Sequence, residues 1–259
     1  MADALGHLRA IVTGAGRGIG AAIAGGLAAS GAHVVFADID EAAAREAASR
    51  NGPNARAVRV DVRDRNSVRA AVDLAVDEFG GLDAMFNNAG IVKVMPFMDV
   101  TEDDFHSIME VNALGVLLGM QEACRQMRKQ GTGGSIVNTA SIAGKQGYGF
   151  FMQYCASKFA VVGMTQAGAK EMAKDRIRVN AICPGVVDTH MWKVIDQGFQ
   201  NARLTQNEGD SFKQAAAQAL LGRPSTPEDL VGVACFLASR NSEFITGQSI
   251  VVDGGIVFS

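Results

Sequence analysis

The sequence predicts an α/β fold in which helices cover both faces of a doubly wound parallel sheet. Two observations support this prediction. Short apolar runs alternate with longer helix-forming segments along the whole chain, which favours right-handed strand–helix–strand crossovers. The 259 residues are 48% hydrophobic, enough to bury one large core, and no stretch has the composition of an inter-domain linker. We therefore expect a single domain spanning residues 1–259.

Charge and composition exclude several function classes. The net charge of −3 and the pI near 5.8 provide no basic surface for nucleic acid or for an anionic membrane. Four scattered cysteines form no C-x-x-C pair and no histidine has metal-ligand spacing, so no metal site is predicted. Met1 to His7 lacks the regions of a signal peptide, and no apolar run is long enough to span a membrane. We expect a cytoplasmic protein with reduced thiols.

The first predicted strand, Leu8 to Val12, leads through a glycine-rich turn into an alanine-rich helix from Ala21 to Ser30. Gly14, Gly18 and Gly20 allow positive φ and a close approach of the backbone to a pyrophosphate. The N-terminus of the helix would then meet the phosphate charge. A glycine cluster alone is a weak signal, but its position between a strand and a helix predicts a dinucleotide site.

The second predicted strand, His33 to Ala37, ends at Asp38, where a carboxylate can accept a hydrogen bond from the ribose 2′-hydroxyl. Asp38 predicts NAD rather than NADP, because it would repel a 2′-phosphate. Arg17 in the glycine turn indicates the opposite preference, since a guanidinium there could bind that phosphate. We give Asp38 the greater weight. The alternative role for Asp38 is a surface acid that caps the following helix.

Apolar periodicity predicts the next elements of the sheet. They are a helix from Glu41 to Arg50, a strand from Ala55 to Val60 followed by Asp61, a helix from Val68 to Phe79 and a strand from Leu82 to Phe86. The last of these strands is followed by Asn87, Asn88, Ala89 and Gly90. The two amides can hold neighbouring loops together, and the two small residues leave room for a cofactor ring. An ordinary turn is the alternative.

A helix that starts at Thr101 is predicted to continue to Gln130, because Thr101 and Asp104 resemble a capping box. Asn112 lies in the apolar interior of this helix. A buried amide is costly unless it is hydrogen-bonded, so Asn112 is either a structural hydrogen-bond hub or part of a site.

The central strand, Ser135 to Asn138, leads to Ser141, and Tyr154 and Lys158 follow on a predicted helix. Four positions apart, the ammonium of Lys158 can lie beside the phenol of Tyr154. A tyrosine that acts as a base near neutrality needs its pKa lowered by roughly 3 units from about 10, which is about 4 kcal/mol. Lys158 can supply this stabilisation, and Ser141 can meet the phenol across a cleft. Chance occurrence of Y-x-x-x-K is the alternative.

The remaining segments complete the alternation. Ile177 to Ile182 is a predicted strand that Cys183-Pro184-Gly185 interrupts, Thr226 opens a helix as its N-cap, and Ser249 to Val252 is the last strand. Residues 186–221 have irregular periodicity, and a segment of this length is usually functional or mobile. We predict a substrate lid there. A docked helical insertion without substrate contacts is the alternative.

With these pieces in order, nearly the whole chain resembles the short-chain dehydrogenase/reductase family. The resemblance implies a Rossmann-like sheet of seven strands in an NAD-binding catalytic domain, usually a homotetramer joined through the helices that bear Asn112 and Tyr154. It also implies that Asn112, Ser141, Tyr154 and Lys158 form the catalytic set. The motifs that carry it are Thr13-Gly14-x-x-x-Gly18-x-Gly20, Asp61, Asn87-Asn88-Ala89-Gly90, Asn112, Ser141, Tyr154-x-x-x-Lys158 and Pro184-Gly185-x-x-x-Thr189.

For the cofactor, NAD, the resemblance implies that Asp61 lies by the adenine and that Lys158 also binds the nicotinamide ribose. The nicotinamide half would lie near Pro184 and Thr189. The residues expected to bind the cofactor are Gly14, Arg17, Gly18, Ile19, Gly20, Asp38, Ile39, Asp61, Val62, Asn88, Ala89, Gly90, Tyr154, Lys158, Pro184, Gly185, Val187 and Thr189.

Three stretches, Tyr154 to Val161, Pro184 to Trp192 and Thr246 to Gly255, resemble acetoin reductases (butanediol dehydrogenases) and bacterial sorbitol or galactitol dehydrogenases. Butanediol dehydrogenases tend to carry polar amides where this chain has Ile142 and Tyr148. This departure favours a polyol or another secondary alcohol over acetoin. The expected substrate pocket comprises Ile142, Tyr148, Met191 and Trp192.

These expectations predict an NAD-dependent oxidoreductase that interconverts a secondary alcohol, either a polyol or a diol, and the ketone. An NADPH-dependent reductase of 3-oxoacyl thioesters is the main alternative, which Asp38 disfavours. A non-catalytic dinucleotide sensor is disfavoured by the complete Asn-Ser-Tyr-Lys set. A bulky hydrophobic alcohol stays open as a substrate, because apolar side chains could line the pocket: Met95, Phe97, Phe150, Phe151, Met191 and Trp192.

Overall fold

The computed structural model describes residues 5–258. It confirms the predicted sheet, whose seven strands are parallel and lie in the order β3-β2-β1-β4-β5-β6-β7. The prediction that Met1 to His7 is not a signal peptide falls partly on residues 1–4, which lie outside the described residues. The strands are β1 (Arg9–Thr13), β2 (His33–Asp38), β3 (Ala55–Arg59), β4 (Ala84–Asn87), β5 (Gly134–Thr139), β6 (Ile177–Pro184) and β7 (Ser249–Val252).

Helices cover both faces of the sheet, and each face has its own core. Helices α3, α5 and α6 pack on one face, where Val72, Met127 and Val161 are buried, while α1, α2 and α9 pack on the other around Ile23 and Leu237. The helices are α1 (Gly18–Ala29), α2 (Glu41–Ser49), α3 (Arg65–Phe79), α4 (Glu102–Met109), α5 (Gly115–Gln130), α6 (Met152–Met172), α7 (His190–Asn201), α8 (Asp210–Ala216) and α9 (Val231–Ala238).

The sheet topology creates a crevice between β1 and β4. From β1 the chain winds outward to β2 and β3, and then crosses back to place β4 on the other side of β1, where Ile11 pairs with Met85. The turns that follow β1 and β4 therefore diverge to opposite faces at the carboxyl edge of the sheet. Ligands of doubly wound folds bind at such a switch point.

The helix predicted from Thr101 to Gln130 is divided by a π-turn, Glu110–Leu114, between α4 and α5. The capping box of Thr101 and Asp104 is present as predicted. At the π-turn the amide of Gly115 donates to the Glu110 carbonyl, one residue further back than in an α-helix. A single extra residue hardly changes apolar periodicity, which is why the sequence pattern indicated one continuous helix.

Strand β6 continues through Pro184, whereas the sequence analysis expected Cys183-Pro184-Gly185 to interrupt it. The next amide, that of Gly185, donates to the Val252 carbonyl at 3.1 Å, so pairing with β7 survives the proline. The segment 186–221 folds as α7 and α8. Within residues 5–258 no helix combines the length and the apolar character needed to cross a bilayer.

Candidate active site

A cavity of about 710 Å³ opens at the carboxyl edge of the sheet, across the crevice between β1 and β4. Its volume is that of a typical ligand pocket. The structure brings together along its wall every residue that the sequence analysis expected to bind the cofactor. These are Gly14, Arg17, Gly18, Ile19, Gly20, Asp38, Ile39, Asp61, Val62, Asn88, Ala89, Gly90, Tyr154, Lys158, Pro184, Gly185, Val187 and Thr189.

The turn after β1 is built by glycine conformation and fastened to the end of β4. Gly14 and Gly18 have φ of +66° and +56°, which side chains rarely permit. The side-chain amide of Asn88 donates to the Thr13 carbonyl at 3.1 Å, and the backbone amide of Ala89 donates to the Thr13 hydroxyl at 3.2 Å. The two strands that flank the crevice are therefore held in register where a ligand would lie.

The N-terminus of α1 presents backbone amides to the cavity as hydrogen-bond donors. Arg17 is the N-cap residue, and among residues 5–258 no side chain caps the first amides of the helix. Exposed amides at a helix N-terminus bind phosphate groups. Asp38 and Asp61 lie further along the cavity wall, at the ends of β2 and β3. These donors, the glycine turn and the carboxylates fit a nicotinamide dinucleotide.

The predicted catalytic side chains meet at the far end of this cavity. Tyr154 and Lys158 lie one turn apart on α6, with the Lys158 Nζ 5.6 Å from the centroid of the Tyr154 ring. The ammonium donates to the Thr139 carbonyl at 2.8 Å, which fixes it at the end of β5. The Ser141 hydroxyl accepts from the Ala143 amide at 3.1 Å, and Ser141 and Tyr154 line the same cavity.

Burial controls the proton affinities of this pair. Burial raises the pKa of Tyr154 to about 12, although the nearby Ser141 hydroxyl acts in the opposite direction. Burial also lowers the pKa of Lys158 to about 8. The sequence analysis expected Lys158 to lower the pKa of the phenol. In the chain by itself desolvation outweighs that effect, because Lys158 is buried and Tyr154 is half-buried.

Lys158 should make stability depend on pH. Its pKa is about 8 in the folded chain against an ordinary 10.5, so between these values the unfolded chain binds a proton that the folded chain has released. The free energy of unfolding should therefore rise with pH in this window. We expect Lys158→Met to remove that rise, as measured by urea unfolding at about pH 8 and about pH 10. Lys170→Met, an exposed lysine on α6, is the matched control. Identical pH slopes for wild type and Lys158→Met would contradict the prediction.

Asn112 is a fully buried hydrogen-bond hub. Its Oδ1 accepts from the Ile91 amide at 2.8 Å, and its Nδ2 donates to the Ile91 carbonyl at 2.9 Å and to the Ser157 hydroxyl at 3.1 Å. It therefore ties the loop after β4 to α6. A Cβ added at Gly90 would lie 3.3 Å from Asn112 Oδ1 and 3.6 Å from Lys158 Nζ, so both polar groups border the same point.

The four residues expected to form the substrate pocket separate into two pairs. Met191 and Trp192, in the first turn of α7, line the cavity. Ile142 is buried in the turn that follows β5, and the Tyr148 hydroxyl accepts from the Gln146 side-chain amide at 2.8 Å. These two side chains lie outside the cavity lining. The side chain after Ser141 faces the protein interior because Ser141 caps a short 3₁₀ turn there.

Other residues line the cavity that the sequence analysis did not name as site residues. Asp40 and Arg63 each lie two positions beyond a named carboxylate, and Ile91 and Val92 follow Gly90. Extending each strand-end motif by two residues would have found these four. The full set is Asp40, Val60, Arg63, Ile91, Val92, Val111, Thr139, Ala140, His190 and Val194.

The predicted lid is fastened within itself by a buried carboxylate. Asp196 on α7 accepts from the Gly209 amide at 2.5 Å and from the amide and hydroxyl of Ser211 at 3.1 Å and 2.5 Å. Burial acts to raise the pKa of Asp196, yet these hydrogen bonds lower it overall. Trp192 packs edge-on against Phe212 of α8, with ring centroids 5.5 Å apart. Helices α7 and α8 therefore act as one unit.

Helix α7 docks on the loop that precedes Tyr154. The ring of Phe199 lies 5.7 Å from Phe151 and 6.1 Å from Phe150, and Phe151 in turn lies 6.3 Å from Tyr154. Phe150 has φ of +68°, a conformation that is rare for a bulky side chain and is often found at functional sites. The carbonyl of Phe150 accepts from the Met95 amide at 3.1 Å, which joins this loop to the one after β4.

Proteins of similar sequence include dehydrogenases, which agrees with the side chains found at this site. A family model described as Enoyl-(Acyl carrier protein) reductase matches residues 14–257. L-2,3-butanediol dehydrogenase of Corynebacterium glutamicum is 41% identical over 255 residues, covering 96% of this chain and 98% of that protein. Galactitol 2-dehydrogenase of Agrobacterium fabrum is 41% identical over 247 residues, covering 95% and 96%.

Solved structures agree as well. The crystal structure of a short-chain type dehydrogenase/reductase from Mycobacterium marinum matches with a TM-score of 0.88 at 35% identity, covering 98% of this chain and 97% of that one. Sequence, fold and the arrangement of Ser141, Tyr154 and Lys158 all lead to one assignment. The chain is an oxidoreductase of the short-chain dehydrogenase/reductase family.

Proposed function

We propose that the protein is an NAD-dependent dehydrogenase that interconverts a secondary alcohol, either a polyol or a diol, and the corresponding ketone. The observation that carries the proposal is the meeting of Ser141, Tyr154 and Lys158 at one end of a cavity that fits a dinucleotide. The relatives support the substrate class. Those compared above act, by their names, on butanediol and galactitol, and a sorbitol dehydrogenase of Cereibacter sphaeroides is 38% identical over 246 residues.

In the oxidative direction, Tyr154 takes the proton of the substrate hydroxyl and Ser141 donates a hydrogen bond to the same oxygen. The bound nicotinamide supplies the hydride acceptor. With a pKa of about 12, the phenol of Tyr154 needs positive charge beside it before it can act as a base near neutrality. The ammonium of Lys158, 5.6 Å from the ring centroid, is the chain's own source of that charge.

In this proposal, Asn112 helps to form the path by which the proton leaves the site. Its Nδ2 donates both hydrogens, to Ile91 and to Ser157, so its role is to keep the loop after β4 against α6 rather than to contact the alcohol. The common border that Asn112 and Lys158 share beside Gly90 supports a water-linked exit for the proton from Lys158. NAD is preferred over NADP because Asp38, at the end of β2, lies on the cavity wall where a ribose would bind.

Segment 186–221 is the substrate lid in this proposal. Met191 and Trp192 line the cavity, while Phe199 packs against the loop that carries Phe151, next to Tyr154. The unit of α7 and α8 can therefore cover the alcohol when it closes.

We also infer a homotetramer, which apolar side chains on the outer faces of α4 to α6 support. These partly exposed residues are Phe105, Leu114, Leu117 and Phe159.

The proposed function is tested by initial rates of NAD or NADP reduction with sorbitol, galactitol, meso-2,3-butanediol, 3-hydroxybutyrate and a hydroxysteroid. We expect a polyol or diol to be oxidised with NAD, with kcat/KM at least about tenfold above the value with NADP, which corresponds to about 1.4 kcal/mol. Turnover confined to the reduction of a 3-oxoacyl thioester with NADPH would contradict both the substrate class and the cofactor preference.

A further inference from the structure

The glycine turn and the loop after β2 are clasped together by two polar contacts at the cavity wall. The Gly16 amide donates to Asp38 Oδ2 at 2.8 Å. The next residue, Arg17, forms an ion pair with Asp40, with Nη2 2.5 Å from Oδ2. Adjacent residues of one loop therefore contact alternate residues of the other. The sequence analysis noted that Arg17 could bind the 2′-phosphate of NADP. In the structure, its guanidinium is paired with the Asp40 carboxylate instead.

Asp40 is held in place by contacts that do not involve Arg17. Its Oδ1 accepts from the Ala43 amide at 3.1 Å, which makes Asp40 the N-cap of α2, and its own amide donates to Asp38 Oδ1 at 3.0 Å. A capping carboxylate has a fixed direction. The second oxygen, Oδ2, is therefore left pointing at the glycine turn, where it meets Arg17.

Carboxylates outnumber guanidinium groups at this end of the cavity. The lining includes Asp38, Asp40 and Asp61 against Arg17 and Arg63, and Arg63 is itself paired with Asp61 at 2.7 Å. Asp38 contacts only backbone amides among its hydrogen-bond partners in residues 5–258. A 2′-phosphate placed here would meet an excess of negative charge among the lining side chains, and both arginines of the lining would have to leave a carboxylate to bind it.

We propose that Asp40 is a second specificity-determining residue, which excludes a ribose 2′-phosphate by engaging Arg17 and by adding a negative charge beside Asp38. The proposal rests on the proposed NAD dependence and extends it to a residue two positions beyond the strand-end acid. The ion pair is weak in itself, because its side chains are 55% and 43% exposed. The effect of Asp40 therefore comes from where Arg17 is held and from local charge, not from stability.

The test measures binding of two cofactor fragments by calorimetry, ADP and adenosine 2′,5′-bisphosphate, without any turnover. Asp40→Asn keeps an oxygen for the cap of α2 but removes the charge. We expect it to bind the 2′-phosphorylated fragment about tenfold more tightly than wild type does, relative to ADP. Adding Arg17→Gln to Asp40→Asn should reduce this gain, because the part that comes from the released guanidinium is lost and only the part that comes from the removed negative charge is kept.

Asp229→Asn is the matched control. Asp229 also joins a helix cap to an arginine, since it accepts from the Thr226 amide at 2.8 Å and pairs with Arg223 at 2.6 Å, and it lies outside the cavity lining. We expect no change in the ratio of the two affinities. An unchanged ratio in Asp40→Asn, an equal gain in Asp229→Asn, or a gain that Arg17→Gln leaves undiminished would overturn the proposal. A wild-type preference for the 2′-phosphorylated fragment would instead overturn the proposed NAD dependence.

Discussion

Tyr154→Phe is expected to lower kcat for alcohol oxidation by about 10³-fold, the scale of general acid–base catalysis, and to leave the Kd for NAD within about twofold. The substitution removes only the phenol oxygen, which is the group that we propose exchanges a proton with the substrate. The ring still fills the space between Phe151 and Lys158, so the cavity wall keeps its shape. Steady-state kinetics and a fluorescence titration with NAD check the two parts separately.

Tyr148→Phe is the matched control for that prediction. Tyr148 is the only other tyrosine of the chain, and its hydroxyl contacts Gln146 outside the cavity lining. Loss of its hydroxyl should leave kcat within about twofold, as is usual for surface substitutions. Tyr154→Phe with near-normal kcat would remove Tyr154 as the general base. A large loss in Tyr148→Phe would return that side chain to the substrate pocket, as the sequence first indicated.

Gly20→Ala should reduce both stability and cofactor binding. A Cβ at Gly20 would lie 2.0 Å from the carbonyl oxygen of Gly14 and 2.5 Å from the Asn88 amide nitrogen. Backbone cannot give way as a flexible side chain can, so the glycine turn must move. We expect the free energy of unfolding to fall by about 2 kcal/mol, the scale of overpacking, and the affinity for NAD to fall at least about tenfold. Urea unfolding and calorimetric titration measure the two effects.

A glycine-to-alanine substitution about one turn further along α1 should instead raise the free energy of unfolding. Gly25 lies in the helix interior, and a Cβ there would meet only the tip of the Asn51 side chain, at 3.3 Å. That tip can shift by a few tenths of an ångström, so the gain in helix propensity should dominate. We expect Gly25→Ala to raise the free energy of unfolding by up to about 1 kcal/mol without changing NAD affinity. Equal losses in the two variants would show that α1 tolerates no added methyl group and that the glycine turn has no special role.

The fold class and most strands were predictable because they depend on simple periodic signals. Continuous apolar runs such as Val34 to Ala37 are fully buried within the sheet, as a parallel strand covered on both faces requires. The motifs at the strand ends also came together as expected, because parallel strands present their carboxyl ends at one edge. The residues that line the cavity between β1 and β4 follow from this geometry.

What the sequence did not reveal depends on single contacts. The partner of Arg17 was not predicted, because a short-range ion pair with Asp40 leaves no periodic trace. The direction of Ile142 depends on the 3₁₀ turn that Ser141 caps, and the pKa of Tyr154 depends on how completely the fold encloses it. Each of these is a property of the packed structure, so residue spacing alone could not show it.

The π-turn at Glu110–Leu114 sets the rotational phase between two helices. Each residue of a helix turns the chain by about 100° and advances it by about 1.5 Å, so one extra residue rotates α4 relative to α5 by that amount. Deleting a single residue here would restore a regular helix and turn Asn112 away from Ile91. Insertions and deletions are usually tolerated in loops. In this chain, a change of length between α4 and α5 would displace the buried Asn112 as directly as a substitution would remove it.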